Sequence, residues 1–226
     1  MVRSAVNLLA RDGLQATGMR DIADHAQAPR GSIQHHFPGG KDQLTLEALA
    51  WIGCVVRAEL DDASTDVLET GDRGPLPNAV PGGNGGSTRS LLVLEKFVAM
   101  WRDGMIQTHV ATGCSVAAVV QDSNKPELLD QAARVFASWR EPFHRALLAD
   151  GVAAEQASGV ATTVIAALEG AVILSRARRD LEPLEQTAAV LHYLLLTVTN
   201  PSQDTVRGSV RQERTDRDDR ACSTSV

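Results

Sequence analysis

The sequence contains little cysteine and few aromatic residues. Only 4% of its 226 residues are aromatic, so the position of each Trp and Phe carries information. The cysteines Cys54, Cys114 and Cys222 are widely spaced and form no paired motif. An odd number of isolated cysteines argues against a disulfide framework and favours a reducing compartment.

Long hydrophobic runs are also missing. The longest strongly apolar run, residues 188–198, is interrupted by His192 and is too short to span a bilayer. The first residues contain no apolar block of the kind that directs secretion. We therefore expect a cytoplasmic protein with no membrane partner.

Positive charge is not in excess, because the formal net charge is -6. Residues 1–50, however, hold five Lys or Arg and five acidic residues, so the rest of the chain carries the whole negative balance. The placement of positive groups, and not their total, decides whether a phosphate backbone is attracted. A nucleic-acid partner is therefore compatible with the first segment.

Strand patterns are absent as well. No β-branched residues alternate convincingly with polar ones, whereas apolar residues recur at helical spacing along most of the chain. We predict an all-α protein whose first helix ends at Gly13 and whose second follows Thr17. Further helices are predicted over residues 30–37, over about 25 residues from Lys41, and over residues 89–107, 115–121, 127–149, 155–179 and 184–199.

Two segments lack apolar periodicity. Residues 70–88 are rich in Gly and Pro, and residues 200–226 are polar with mixed charge. We predict a flexible loop in the first and a disordered tail in the second. The chain then divides into a helical domain over residues 1–50 and a second helical domain over residues 51–199.

The stretch DIADHAQAPRGSIQHHF, residues 21–37, has the pattern of a helix-turn-helix motif. Pro29 breaks the chain between two short helices, and Ile33 and Phe37 are spaced to face the core. In such a motif the last helix enters the major groove of DNA. An ordinary helical corner with a solvated polar face explains the periodicity about equally well.

The outward side chains of the third helix suit DNA recognition. Arg30 can contact guanine or phosphate, Gln34 can pair with adenine, and the two adjacent histidines suit phosphate oxygens. The predicted DNA-binding residues are Thr17, Arg20, Arg30, Gly31, Ser32, Gln34, His35, His36 and Lys41.

Residues 16–44, ATGMRDIADHAQAPRGSIQHHFPGGKDQL, resemble the DNA-binding head of TetR-family transcriptional regulators. The recurring residues are Thr17, Ile22-Ala23, Gly31-Ser32, His36-Phe37 and Lys41. Two further segments, GCSVAAVV at residues 113–120 and LEGAVILSRARRDLEPL at residues 168–184, resemble the regulatory domain of the LmrA/YxaF-like branch. The resemblance covers roughly residues 2–199 and implies a helix-turn-helix motif at about residues 18–37.

The head departs from the family pattern at three places. Gln34 stands where the family usually has Tyr, which weakens a phosphate contact and adds a base-reading group. Pro29 replaces a Ser that often caps the third helix. The first helix begins at Met1 without the usual basic arm, so either the start lies upstream or affinity depends more on the remaining contacts.

The family resemblance implies that the second domain is a helical bundle that binds a small ligand and dimerises through its last two helices. Broad apolar faces at residues 160–172 and 191–198 support an interface, although an internal core is the alternative. Most of the scarce large side chains lie in the middle helices, where they belong either to the core or to an effector pocket. The candidate ligand-binding residues are Phe97, Met100, Trp101, Met105, His109, Trp139, Phe143, His144 and Glu169.

We find no metal-ligand spacing, phosphate-binding loop or nucleophile motif, and predict neither a metal, a cofactor nor an enzyme. The resulting hypothesis is a cytoplasmic, homodimeric transcriptional regulator, most simply a repressor. It would bind a near-palindromic operator and release it when a small apolar, aromatic effector binds. The rival hypothesis is a helical small-molecule-binding or scaffolding protein whose head no longer binds DNA.

Overall fold

The computed structural model describes residues 1–65 and 88–200, and within these two ranges it contains helices and no strand. The prediction of an all-α fold is therefore confirmed. The helices are α1 (Val2–Ala16), α2 (Met19–His25), α3 (Arg30–His36), α4 (Gly40–Thr65), α5 (Arg89–Gln107), α6 (Ser115–Asp122), α7 (Pro126–Ala149), α8 (Ala154–Arg178) and α9 (Glu182–Thr199).

The observed helix bounds follow the hydrophobic periodicity of the sequence. α5 has the predicted bounds, and α7 and α9 begin slightly earlier than predicted because Pro126 and Pro183 lie within their first turns. Proline is tolerated there, since the first N–H groups of a helix have no intrahelical partner. The predicted loop and tail lie outside the described residues, apart from Thr88 and Asn200, which flank α5 and α9.

The first three helices pack around a small apolar core that contains Ile22, Ile33 and Phe37. Between α2 and α3, Gln27 adopts a left-handed conformation with φ 53°. The N–H of Ala28 donates to the carbonyl oxygen of Ala23 at 3.0 Å, which closes the turn. The sequence predicted the break at the following proline but not this turn, because glycine or asparagine is usual at a left-handed position.

The first helix has a break at Gly13, whose φ of 84° and ψ of 173° are not helical. Helical geometry then resumes for Leu14, Gln15 and Ala16. The predicted helix stop at Gly13 is therefore an interruption, and α1 ends three residues later. A glycine is suited to this position because its φ is positive.

The long helix α4 connects the two parts of the chain. It packs against α1 in the first part and against α5 and α7 in the second. A Cβ on Gly53 would lie 3.0 Å from Cγ2 of Val135, so glycine allows the close approach of α4 to α7. The predicted boundary between residues 50 and 51 falls within this uninterrupted helix, and the division into domains stays a prediction.

The second part is a bundle in which α7 and α9 flank α8, and α5 packs against α7 and α9. α6 lies between α7 and α1. α8 is long and apolar enough to cross a membrane, a property that core helices of other proteins share; part of it, including Val164, Leu168 and Ala171, is buried in the bundle.

Candidate DNA-binding surface and regulatory core

The outer face of α3 carries most of the predicted DNA-contacting side chains. Gln34, His35 and His36 are exposed, whereas Ile33 on the opposite face is buried. Gly31 is also exposed, and a Cβ at this position would meet no atom within 4 Å. No contact within the protein therefore requires glycine at this position. The absence of a side chain at Gly31 leaves open space on the outer face of α3.

The remaining predicted DNA-binding residues fall into two groups, those on α2 and α3 and those whose side chains bind other parts of the head. Arg20 is exposed on α2, Ser32 is half-buried, and Arg30 is the first residue of α3. In contrast, Thr17 is 2% exposed, and its hydroxyl donates to the Gly13 carbonyl oxygen at 2.7 Å.

The side chain of Lys41 is held within the head. Its Nζ donates to the carbonyl oxygen of Leu14 at 2.5 Å, which joins the start of α4 to the end of α1. In this structure Thr17 and Lys41 thus bind the carbonyl groups of Gly13 and Leu14, at the break in α1. Their predicted contacts with DNA stay a prediction.

A surface hollow of about 520 Å³ beside α3 was not expected from the sequence. Its lining includes Arg3, His36, Glu47 and Trp51. The guanidinium carbon of Arg3 lies 5.8 Å from the centre of the Trp51 ring, within the range of a cation–π contact. Arg3 lies on α1, His36 on α3 and Trp51 on α4, so the hollow forms only when the three helices pack together, and no local pattern could have identified it.

The carboxylate of Asp122 at the end of α6 binds the break in α1. Its Oδ2 accepts hydrogen bonds from the N–H groups of Leu14 at 2.7 Å and Gln15 at 3.2 Å. The Gln15 side-chain amide donates in return to the Asp122 carbonyl oxygen at 2.7 Å. We call this set of three hydrogen bonds the α1–α6 clasp; it links the head to the second part of the chain.

The start of α6 and the end of α8 also contact α1. The N–H of Gly113 donates to the carbonyl oxygen of Ala10 at 2.8 Å. The Arg176 guanidinium donates to the carbonyl oxygen of Arg11 at 2.5 Å. α1 is therefore held by hydrogen bonds to α6, to Gly113 just before it and to α8.

The connection from α5 to α6 has an unusual backbone. His109 and Val110 both have positive φ angles, 49° and 59°. A β-branched residue rarely adopts this conformation, so the turn is strained. The Val110 N–H donates to the Met105 carbonyl oxygen at 2.7 Å, which helps to hold it.

The candidate effector-binding aromatic residues form one cluster. The Phe97 ring centre lies 6.2 Å from that of Trp101, 6.0 Å from that of Trp139 and 6.0 Å from that of Phe143. Phe97, Trp139, Phe143 and Met105 are buried, whereas Met100 and Trp101 are half-buried. The cluster is a packed core in this structure, and its use as an effector site stays a prediction.

Of the three polar residues predicted to orient an effector, one lies inside the domain. His109 is exposed, and His144 is half-buried with its Nδ1 4.0 Å from the Glu141 carboxylate. The two carboxyl oxygens of Glu169 are inaccessible to solvent, and among the described residues they find no N–H or O–H donor, only the neighbouring thiol of Cys114.

Burial raises the pKa of Glu169 to about 7, because a carboxylate is poorly solvated there; the nearby Cys114 acts in the opposite direction. The pKa of the Cys114 thiol is raised well above its ordinary value, by burial and then by Glu169. Cys114 is also the N-cap of α6, where its sulfur accepts from the Ala117 N–H at 3.4 Å. Glu169 of α8 is thus adjacent to the start of α6.

An exposed apolar surface covers part of α8 and α9, which run antiparallel on either side of a turn at Arg179. The exposed fractions are 53% for Ile173, 57% for Leu174, 67% for Val190 and 72% for Tyr193. Other apolar residues of the same helices, such as Leu168 and Leu195, are fully buried. The sequence-predicted apolar faces therefore divide into an internal core and an outward surface.

Comparison with known proteins gives matches over both parts of the chain. The model of bacterial regulatory proteins of the tetR family matches residues 2–48. The model of the C-terminal domain of LmrA/YxaF-like transcriptional regulators matches residues 91–190.

Relatives match along most of their own length. The HTH-type transcriptional regulator Rv0196 of Mycobacterium tuberculosis is 32% identical, over 87% of this chain and 92% of its own. YxaF of Bacillus subtilis, also described as an HTH-type transcriptional regulator, is 26% identical over 81% and 87% of the two chains. The crystal structure of a TetR transcriptional regulator from Legionella pneumophila has a TM-score of 0.70 with 22% identity, over 85% of this chain and 94% of that one. The chain belongs to the TetR family of bacterial transcriptional regulators and carries a C-terminal domain of the LmrA/YxaF-like type.

Proposed function

We propose that this DNA-binding regulator is a cytoplasmic homodimer that represses transcription from a near-palindromic operator and leaves it when a small apolar molecule binds the second domain. The family consists of transcriptional regulators and not of enzymes. The observation that carries the DNA-binding part is the outer face of α3, where exposed Gln34, His35 and His36 surround a glycine with open space above it.

In the proposed complex, α3 enters the major groove. Gln34 would read a base edge, since its amide offers a donor and an acceptor to adenine. The histidines and Arg20 would contact phosphate oxygens, which position the helix without reading the sequence. Arg30, at the start of α3, would contact guanine or phosphate.

The proposed dimer uses the exposed apolar surface of α8 and α9. Four large apolar side chains that are each more than half exposed on two adjacent helices indicate an interaction surface. A twofold dimer engages two half-sites about 34 Å apart, one turn of DNA, which explains why a near-palindromic operator is expected.

Release by an effector requires coupling between the two parts of the chain. The α1–α6 clasp and the contacts of Gly113 and Arg176 with α1 provide a physical route for it. If the effector favours an arrangement of α6 that moves the head out of register, effector and operator weaken each other's binding by the same factor.

The experiment is selection from randomised DNA duplexes, followed by anisotropy titrations of the selected sequence at several salt concentrations. We expect a dimer to bind a near-palindrome and to lose about 10³-fold or more in affinity between about 50 and 200 mM salt. Gln34→Ala should weaken binding about 5- to 100-fold and relax selection at one base pair. Gln156→Ala, an exposed glutamine on α8, is the matched control and should bind as the wild type does.

Weak binding with no sequence preference would reject the proposal. It would support the rival hypothesis of a helical ligand-binding or scaffolding protein, for which the neutral head and the replacement of the usual Tyr by Gln34 are the arguments. The repressor role is tested separately with a reporter gene behind the selected sequence, whose expression should fall when the protein is produced.

A further inference from the structure

We propose that Glu169 is the anionic anchor of the effector site, so that the effector is an aromatic molecule with a protonated amine. This inference rests on the proposed function and specifies the chemical class of the effector. It starts from the two buried carboxyl oxygens of Glu169, to which the described residues offer no N–H or O–H donor and only the thiol of Cys114.

A buried carboxyl group whose only donor is a thiol is poorly satisfied in a folded protein, because S–H is a weak hydrogen-bond donor. Buried polar atoms are nearly always hydrogen-bonded, and an ionised carboxylate needs a cation or several donors. The group that does influence Glu169 is the Cys114 thiol, which is buried and neutral. Within the described ranges the packing of α8 therefore places a potential negative charge in the domain without supplying a cation.

The same domain holds two more buried polar atoms without partners, the indole N–H groups of Trp101 and Trp139. Both belong to the aromatic cluster on α5 and α7, where they contact Phe97. Indole rings attract cations to their faces more strongly than other aromatic side chains do. The proposal assigns the aromatic part of the ligand to this cluster and its positive group to Glu169.

The charge of Glu169 selects among ligand classes. An anionic effector would be repelled, and a neutral alcohol would donate a hydrogen bond without compensating the charge. A protonated amine supplies both donors and charge, as in the strong charge-assisted hydrogen bonds of proteins. We therefore infer that the small, largely apolar effector of the proposed function carries a protonated amine.

The position of Glu169 also connects it to the head. Its neighbour Cys114 is the N-cap of α6, whose other end is Asp122 of the α1–α6 clasp. A ligand that draws the Glu169 carboxylate into an ion pair changes the surroundings of Cys114, the N-cap of this short helix. We expect this change at the start of α6 to alter the contact of Asp122 with α1, since α6 has only eight residues.

The test compares two probes that differ in one group, 2-(naphthalen-2-yl)ethylamine and 2-(naphthalen-2-yl)ethanol, by calorimetry and tryptophan fluorescence on the full chain. We expect the amine to bind at least tenfold more tightly than the alcohol. Glu169→Gln should remove this preference while the alcohol binds as before. Glu155→Gln, which makes the same change at an exposed position of α8, should keep it.

A second measurement needs no variant. Between pH 6 and 8 the affinity of the wild type for the amine should rise by about tenfold as Glu169 loses its proton, while the alcohol shows no such rise. The amine stays protonated over this range, as a lysine side chain does. The Cys114 thiol stays neutral, so it does not compete for the same titration.

The inference is overturned if the amine binds no more tightly than the alcohol, if neither binds, or if the preference survives Glu169→Gln. Operator binding without a probe is measured in parallel. A protein that binds its selected DNA and is released by the alcohol alone retains the proposed function but lacks the anionic anchor. A protein that binds the amine through Glu169 but no specific DNA retains the anchor and loses the regulator role.

Discussion

The carboxylate of Asp122 accepts the backbone N–H of Leu14 at 2.7 Å, across a separation of 108 residues. Leu14 and Gln15 begin the short helical segment that follows the break at Gly13, and the N–H groups of both donate to this carboxylate. Asp122 therefore caps that segment from another part of the chain, as an N-cap residue does from within its own helix.

The first prediction concerns this cap. Asp122→Ala should lower the free energy of unfolding by about 1 to 2 kcal/mol, the typical effect of losing an N-cap. Urea denaturation followed by circular dichroism measures the change. Asp130→Ala, at an exposed position on α7, should change stability by less than about 0.5 kcal/mol. Equal stability of the two variants would contradict a capping role for Asp122.

The second prediction concerns Gly13 on the other side of the same contact. Its φ is 84°, and an added Cβ would lie 2.8 Å from Oδ2 of Asp122. Gly13→Ala should therefore destabilise the protein by about 1 to 3 kcal/mol. Gly104→Ala in α5 is the control, because a Cβ there meets no atom within 4 Å and alanine favours the helix. Thermal melts should show the first variant below the wild type and the second at or above it.

The third prediction separates recognition from folding at α3. Because a Cβ on Gly31 would meet nothing within 4 Å, Gly31→Leu should leave the melting temperature unchanged or raise it slightly. The larger side chain would occupy the space proposed for DNA, so affinity for the selected duplex should fall at least tenfold. An unchanged affinity would show that this face of α3 does not approach DNA closely.

The fourth prediction follows from the raised pKa of Glu169, about 7 in the folded protein against an ordinary value of 4.5. The folded state binds the proton more tightly than the unfolded state, so the free energy of unfolding falls as the pH rises from about 4.5 to above 7. The fall attributable to this group is at most about 3 kcal/mol. Glu169→Gln should remove this component from a series of denaturation curves, and a pH dependence identical to that of the wild type would exclude it.

The fifth prediction concerns the dimer. Tyr193→Asp places a charge on the exposed α8 and α9 surface and should weaken association at least 100-fold, as measured by sedimentation equilibrium. Operator affinity should fall with it, because a monomer engages one half-site. Ile106→Asp is the control, since Ile106 is 54% exposed on α5, outside this surface. Two variants that remain equally dimeric would place the interface elsewhere.

The helices and the recognition motif could be read from local patterns. Apolar spacing identified the core positions Ile33 and Phe37, and the recurring residues around Gly31 identified the family. Local patterns did not predict the left-handed conformation of Gln27, because nothing in the sequence distinguishes a left-handed glutamine. At Gly13 they predicted the end of the first helix, whereas the structure has a break after which the helix resumes. Among the three polar residues considered for the effector, only the fold showed that Glu169 is the buried one.

Helix formation depends on residues three or four positions apart, and the chain alone therefore specified where its helices lie and which face of each is apolar. Packing joins residues that are far apart in sequence, and it decided the cap of Asp122 on Leu14, the burial of Glu169 beside Cys114 and the outward position of Tyr193. An apolar position can be core or interface, and a carboxyl group can be solvated or buried, with the same local pattern. The difference is settled by which other helix occupies the adjacent space.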